Sequence, residues 1–321
     1  MKTIKYIFCL VLLFEGSVLQ ASAQVKETNP ADYPQAGDTV VVARDGTGRF
    51  RTVAEAIESL RAFMDYQVTI YIKKGIYKEK IVLPSWLQNV TIVGEDAAST
   101  VITFDDHANI NHMGTFRTFT FKIEGSDITI KNLTIENNAA QLGQAVALHT
   151  EGDNLQFIGC RFLGNQDTVY TGRRGTTIRF TNCYIEGTTD FIFGPSTALF
   201  LNCEIRSKRD SYVTAASTPK EQNIGYVFCR CHLTADPGVT RCYLGRPWRP
   251  YAATVYIDCQ MERHILPAGW DNWKNPANET TARYAEYGST GLGANPSQRV
   301  PWSRQLTKKE ANKYLELFNA Q

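Results

Sequence analysis

The chain has 321 residues, 43% of them hydrophobic and 21% charged, and a formal net charge of +2. Such a length forms one large β domain or two average ones, and such a balance is that of an ordinary globular protein. The small charge is evenly spread, with no basic run and no DNA- or RNA-binding motif, which excludes nucleic acid as a partner.

Residues 1–23 have the order of a secretory signal: Lys2 and Lys5, an apolar core from Ile7 to Phe14, and Ala21-Ser-Ala23 before Gln24. The apolar run is too short to span a bilayer, and no later stretch is long enough to do so. The expectation is an exported protein, secreted or periplasmic, with no membrane span and with residues 24–321 forming one domain.

Beyond the lead-in, Thr39 to Ala43 reads as a strand and Asp45-Gly-Thr-Gly48 as a turn. Thr52-Val-Ala-Glu55 is a capping box, and Ala56, Ile57, Leu60 and Phe63 follow at helical spacing. One amphipathic helix at the front suits a plug over the first rung of a solenoid. A strand at Val68 to Ile72, a turn over Gly75-Ile-Tyr-Lys-Glu79 and a strand at Val90 to Gly94 come next.

From Ile128 an internal repeat is explicit. Its apolar positions are Ile128, Ile130, Leu133, Ile135; Leu155, Phe157, Cys160, Phe162; Ile178, Phe180, Cys183, Ile185; Ala198, Phe200, Cys203, Ile205; Tyr226, Phe228, Cys231, Leu233; and Thr254, Tyr256, Cys259, Met261. The third place advances by 27, 23, 20, 28 and 28 residues, which suits one coil per repeat. Short alternating strands without helical patterns between them fit an all-β parallel β-helix. An antiparallel sandwich has no reason to keep one residue type at a fixed repeat position. Export permits disulfides, yet Cys160, Cys183, Cys203, Cys231 and Cys259 share one column, which reads as a buried ladder of small polarizable side chains. After Trp270 the repeat is lost. A second capping box, Thr307-Lys-Lys-Glu310, opens a helix through Ala311, Tyr314, Leu315 and Phe318, expected to cap or flank the far end.

Asp167 and Asp190 lie seven residues after Cys160 and Cys183. Stacked as neighbouring rungs they stand roughly 4.8 Å apart. Two carboxylates that close do not both ionise cheaply, so one pKa rises while the other stays low, giving an acid and a nucleophile at one pH. Arg246, in Leu244-Gly-Arg-Pro-Trp248, is the natural cation to keep Asp190 ionised. Taken singly, each aspartate is more often a solvated turn residue. Asp210 also lies seven residues after its column cysteine, Cys203, so register alone stacks three aspartates without choosing among them. No Gly-x-Ser-x-Gly elbow, phosphate loop or paired-histidine spacing occurs, so neither a metal nor an organic cofactor is expected.

At these residues the chain resembles the pectin methylesterases, enzymes that de-esterify homogalacturonan. The resemblance runs from Val42-Ala-Arg-Asp-Gly-Thr-Gly48 through Gly75-Ile-Tyr-Lys-Glu79, Thr115-Phe116, Gln144-Ala-Val-Ala-Leu148, Gln166-Asp-Thr-Val-Tyr170, Asp190-Phe-Ile-Phe-Gly194 and Leu244-Gly-Arg-Pro-Trp248. It closes at Tyr284-Ala-Glu-Tyr-Gly288 and Arg299-Val-Pro-Trp302. It implies a right-handed parallel β-helix with the site in an open groove and methyl-esterified homogalacturonan as the polysaccharide partner. It also implies Asp190 as nucleophile, Asp167 as general acid and then base, and Gln144 and Gln166 as oxyanion donors. Arg246 orients the nucleophile, Trp248 and Thr115 contact substrate, and Tyr170 and Phe193 line the groove. The alternative is another pectin-active β-helix enzyme, a galacturonan hydrolase or lyase, and a monomer is the default state. The loops from Asp105 to Met113 and after Trp270 carry no readable pattern.

Overall fold

The computed structural model describes residues 32–318. The stretch read as a secretory signal lies outside them. Within them, the alternating apolar runs form three sheets of 11, 8 and 7 strands, and each complete coil of the chain gives one strand to each sheet, while the coils at the two ends give fewer. One coil contributes Leu155–Ile158, Arg161–Leu163 and Val169–Thr171; the next contributes Thr177–Thr181, Tyr184–Gly187 and Ile192–Gly194. Neighbouring coils pair in parallel on all three faces. This is the expected right-handed parallel β-helix.

The repeat read from sequence is the register of the solenoid. Ile128, Leu155, Ile178, Ala198, Tyr226 and Thr254 form one inward column of the 11-stranded sheet. Two places on, Phe157, Phe180, Phe200, Phe228 and Tyr256 stack face to face with centroids 4.3–4.9 Å apart. Identical side chains one rung apart fall at the spacing that offset aromatic stacking prefers. The cysteine column is likewise a packing ladder. All seven cysteines among the described residues are free and buried. The thiols of Cys183, Cys203 and Cys231 each donate to a carbonyl of the preceding coil, Phe157, Phe180 and Phe200 respectively, at 3.4 Å.

The corner before each column residue is one position in the left-handed region: Asn132, Gly159, Asn182, Asn202, Arg230 and Asp258, with φ between 51° and 62°. Asn, Asp and Gly tolerate that backbone best, which explains why four of these six places hold Asn or Asp.

At the front, the Thr52 hydroxyl accepts from Glu55 N at 3.2 Å and the Glu55 carboxylate accepts from Thr52 N at 3.2 Å, closing the predicted capping box. Glu79 accepts from the next two free helix amides, Val53 N at 3.0 Å and Ala54 N at 2.9 Å. The helix Val53–Glu58 thereby seats Val53, Ala56 and Ile57 in the core. It stops sooner than its apolar spacing suggests. Phe63, expected on the buried face, has φ 56° and is 77% exposed, because the chain turns away after Ser59. Gly75–Lys78, expected as a turn, is a strand paired with Thr100–Phe104. Gly75 there has φ 156°, a backbone that suits glycine, and Tyr77 packs inward, so the glycine opens a strand instead of ending one.

The C-terminal helix Lys308–Leu315 also begins on its predicted capping box, Thr307 with Glu310. It lies on a flank. Ala311, Tyr314 and Leu315 pack against Leu199, Val227, Val255 and Ala285, the outward side chains of the 11-stranded sheet. No helix among the described residues is long and apolar enough to cross a membrane.

Candidate active site

The 7-stranded sheet carries the site. Val169 pairs with Ile192 and Tyr170 with Phe193, and these with Thr214 and Ala215 of the next coil. Two residues upstream, at the corner entering the sheet, this register sets Asp167 beside Asp190. Asp167 N donates to Thr189 O at 3.1 Å, and Asp190 N donates to Tyr212 O at 2.8 Å. Both aspartates are in the left-handed region, φ 67° and 50°, which Asp visits more readily than most residues. Both are buried, 8% and 6% exposed. Rung spacing holds them roughly 4.8 Å apart along the axis.

The third aspartate does not join the stack. Ile192 lies nine residues after Cys183, but its partner Thr214 lies eleven after Cys203. The longer connector slips the register by two, so Tyr212 takes the third place. Asp210 is exposed, and its Oδ1 accepts from Thr240 N at 2.7 Å and Arg241 N at 2.9 Å.

Arg246 arrives from the strand Tyr243–Gly245, which pairs with Tyr212–Ala216. Gly245 lets it come this close: a Cβ there would lie 2.0 Å from Thr214 Oγ1. The guanidinium then meets Asp190 edge to edge, Nε to Oδ1 at 2.9 Å and Nη2 to Oδ2 at 2.7 Å. Its faces lie against Tyr212, 3.8 Å from the ring centroid, and Trp273, 3.7 Å. Trp273 is held by Asp271, whose Oδ1 accepts from Trp273 N at 2.7 Å, while Asp271 N donates to Gly245 O at 3.2 Å.

This neighbourhood separates the two carboxyls. Burial pushes Asp167 well above the usual carboxylate range, and the charge of Asp190 adds to the push. Burial also raises Asp190, but the hydrogen bonds and charge of Arg246 oppose it. Asp167 is therefore the member that holds the proton, and Asp190 the member that ionises first.

Gln144 and Gln166 stand on the same rim. Their backbone carbonyls accept from Ala108 N at 2.8 Å and Ala145 N at 3.0 Å. Their side-chain amides have no hydrogen-bond partner among the described residues. Both line a groove of about 240 Å³, together with Thr115, Asp167, Asp190, Phe193, Arg246 and Trp248. Eight of the nine residues singled out in the sequence thus share one cavity. The ninth, Tyr170, stands in its aromatic wall, 4.9 Å from Phe116 and 4.8 Å from Phe193 between ring centroids.

Sequence reasoning missed Phe116, Tyr212 and Trp273, which sit outside the repeat or at a slipped place in it. It also missed Asn137, whose buried amide donates to Asp106 O at 3.0 Å, Thr118 O at 2.9 Å and Val146 O at 3.1 Å. That side chain ties the Thr115 loop to the irregular segment that carries Gln144. An Asn ending an alternating strand was the available signal. No cluster of three or more His, Cys, Asp or Glu able to hold a metal occurs among the described residues.

A solenoid with a carbohydrate-sized groove and this carboxylate pair defines an enzyme of the β-helix class. The chain belongs to the pectinesterase family, whose model matches residues 39–318. It is 38% identical to Pectinesterase 31 of Arabidopsis thaliana over 287 residues, covering 86% of this chain and 90% of that one. Its fold is similar to that of pectin methylesterase from carrot, with a TM-score of 0.82, 33% identity and coverage of 87% and 91%. It is also similar to a pectin methylesterase solved in complex with a hexasaccharide, with a TM-score of 0.75, 29% identity and coverage of 88% and 96%. Another Arabidopsis relative, named a probable pectinesterase/pectinesterase inhibitor, is longer: the chain covers 50% of it.

Proposed function

We propose that this pectinesterase removes methyl esters from methyl-galacturonate units of homogalacturonan by covalent catalysis through Asp190. The observation that carries the reading is the asymmetric pair: a buried, proton-holding Asp167 beside an Asp190 clamped by Arg246. One Asp190 oxygen attacks the C6 carbonyl of the ester, and the carbonyl oxygen becomes an oxyanion. Gln144 and Gln166 supply side-chain N–H groups to that oxygen, each contributing about 3 kcal/mol by comparison with amide donors in known oxyanion holes. As the tetrahedral carbon collapses, the C–O bond to the methoxy group breaks. Asp167 gives its proton to the leaving oxygen, releasing methanol and leaving an Asp190–substrate anhydride. Asp167, now a carboxylate, takes a proton from water, whose oxygen attacks the anhydride. The product leaves as the carboxylic acid and gives its proton to solvent to become galacturonate, Asp190 is again a carboxylate and Asp167 again an acid. Trp248 offers a flat apolar face to a neighbouring sugar ring. The secretory pattern of residues 1–23 suits an enzyme whose polymer substrate lies outside the cell.

Amide donors without hydrogen-bond partners at the carboxylate pair favour acyl transfer over glycosidic cleavage, which needs no oxyanion hole. Methanol release from highly methylated pectin by the purified protein, with and without a chelator, tests the reading. The expected outcome is chelator-insensitive methanol without loss of viscosity, reduced to a few per cent or less by Asp190→Ala or by Asp167→Ala with the circular dichroism spectrum unchanged. Chain cleavage without methanol would sink it.

A further inference from the structure

Tyr212 occupies the place in the site's column that a third aspartate would have taken, and its ring is spent on Arg246. Four planar groups stack there in sequence. Tyr243 lies against Tyr212 with centroids 5.3 Å apart and planes 14° from parallel. Tyr212 lies 3.8 Å from the Arg246 guanidinium carbon, and Trp273 covers the other face at 3.7 Å. The guanidinium edge left free points at both Asp190 oxygens. Trp273 lines the groove and Tyr212 does not.

We propose that Tyr212 is a positioning residue, the fixed back plate of an aromatic clamp that holds the Arg246 guanidinium in the one plane where it engages both oxygens of Asp190. The physical case is direct. A guanidinium on a flexible stem forms a two-point contact only when its plane is fixed, and no side-chain hydrogen bond other than those to Asp190 fixes the plane of Arg246 among the described residues. Aromatic faces fix the plane without using a single N–H. They also exclude water from both faces, so the charge of Arg246 acts on Asp190 unscreened. The other ionisable groups around the pair are Asp167 on the preceding coil, Asp271, which accepts from Trp273 N, Tyr243 behind Tyr212 and the buried Tyr284, so Arg246 is the cation that offsets two further carboxyls. Trp273 stands where substrate binds and can serve two purposes; Tyr212 serves the clamp alone.

This role rests on the ester-hydrolysis reading above, and the test separates the two. Tyr212→Leu removes the ring face, while Tyr212→Phe keeps it and removes only the hydroxyl. Methanol release from methylated pectin is measured for both across pH, beside the thermal midpoint. For Tyr212→Leu, kcat is expected to fall about five- to thirty-fold, the range of a partly desolvated cation–π contact. KM should stay within about two-fold, and the acid limb of kcat/KM should move to higher pH, because a loosened Arg246 makes Asp190 harder to ionise. Tyr212→Phe should recover most of the loss. Carbon-13 NMR titration of the Asp190 carboxyl, run without substrate, should show the same upward displacement in Tyr212→Leu. An unmoved acid limb and unmoved titration in Tyr212→Leu would overturn the clamp, as would a Tyr212→Phe variant as impaired as Tyr212→Leu. A wild-type protein that releases no methanol would overturn the esterase reading, while the titration still decides the clamp.

Discussion

Asp167 and Asp190 sit on the same column, at the same kind of corner and at nearly equal burial, and the neighbour that most divides them is Arg246. Arg246 reaches Asp190 with two hydrogen bonds and Asp167 only through space. That single difference turns a symmetric repeat into an acid and a base. It also has a cost in stability. The folded-state pKa of Asp167 is raised above its unfolded value of about 3.9. Above that pH the native state holds a proton that the unfolded chain has released, so the Asp167 contribution to stability is full in acid and is lost as pH rises towards the folded value. Asp167→Asn removes this dependence and keeps the shape. The melting temperature of the variant relative to wild type should therefore increase between pH 4 and pH 7, followed by calorimetry. An equal difference at both pH values would mean that Asp167 is not held protonated.

Among the elements, what was legible followed from packing. Inward positions must match from coil to coil, because a slip of one residue would turn a whole strand inside out. Ile128, Leu155, Ile178 and their successors therefore gave the strands, the sheets and the Asp167–Asp190 neighbourhood before any coordinates. Connectors obey no such rule. Two extra residues between Cys203 and Tyr212 moved Asp210 out of the site, and nothing in the apolar pattern marks where they were inserted. The Thr115 loop and the Trp273 loop were unreadable for a related reason. Each is irregular backbone tied by contacts that no periodicity announces: the Asn137 side chain reaches Asp106 O and Thr118 O, while Asp271 holds Trp273 N with its carboxylate and Gly245 O with its own backbone N–H. The corners follow their own chemistry. Asn182 is exposed with φ 54°, so Asn182→Ala should destabilise by about 1 kcal/mol while Asn182→Gly stays within a few tenths. Urea unfolding of both variants checks this, and equal losses would remove the left-handed corner as the reason for asparagine there.

At the scale of the whole molecule, the solenoid separates its faces. The 7-stranded sheet presents the groove, while the C-terminal helix covers the outer surface of four strands of the 11-stranded sheet. Deleting residues 307–321 would uncover Leu199, Val227, Val255 and Ala285, a contiguous apolar patch on an otherwise polar face. Light scattering should show that truncated protein aggregating at temperatures where the intact chain is monodisperse. The soluble fraction should still hydrolyse ester, since no residue of the site touches the helix. Loss of turnover in a soluble truncated protein would contradict that separation.

Arg246 lies 56 residues downstream of the carboxylate it neutralises. A stack that grows coil by coil from the amino end encloses Asp190 against Asp167 and Tyr212 before the strand bearing its counter-ion exists. For that interval the nascent structure must either keep the corner wet or carry a proton on Asp190, and both slow its closure at neutral pH. Refolding of Asp190→Asn should outrun that of wild type near pH 7, with the two rates converging below about pH 3, where the wild-type carboxyl is mostly neutral in the unfolded chain.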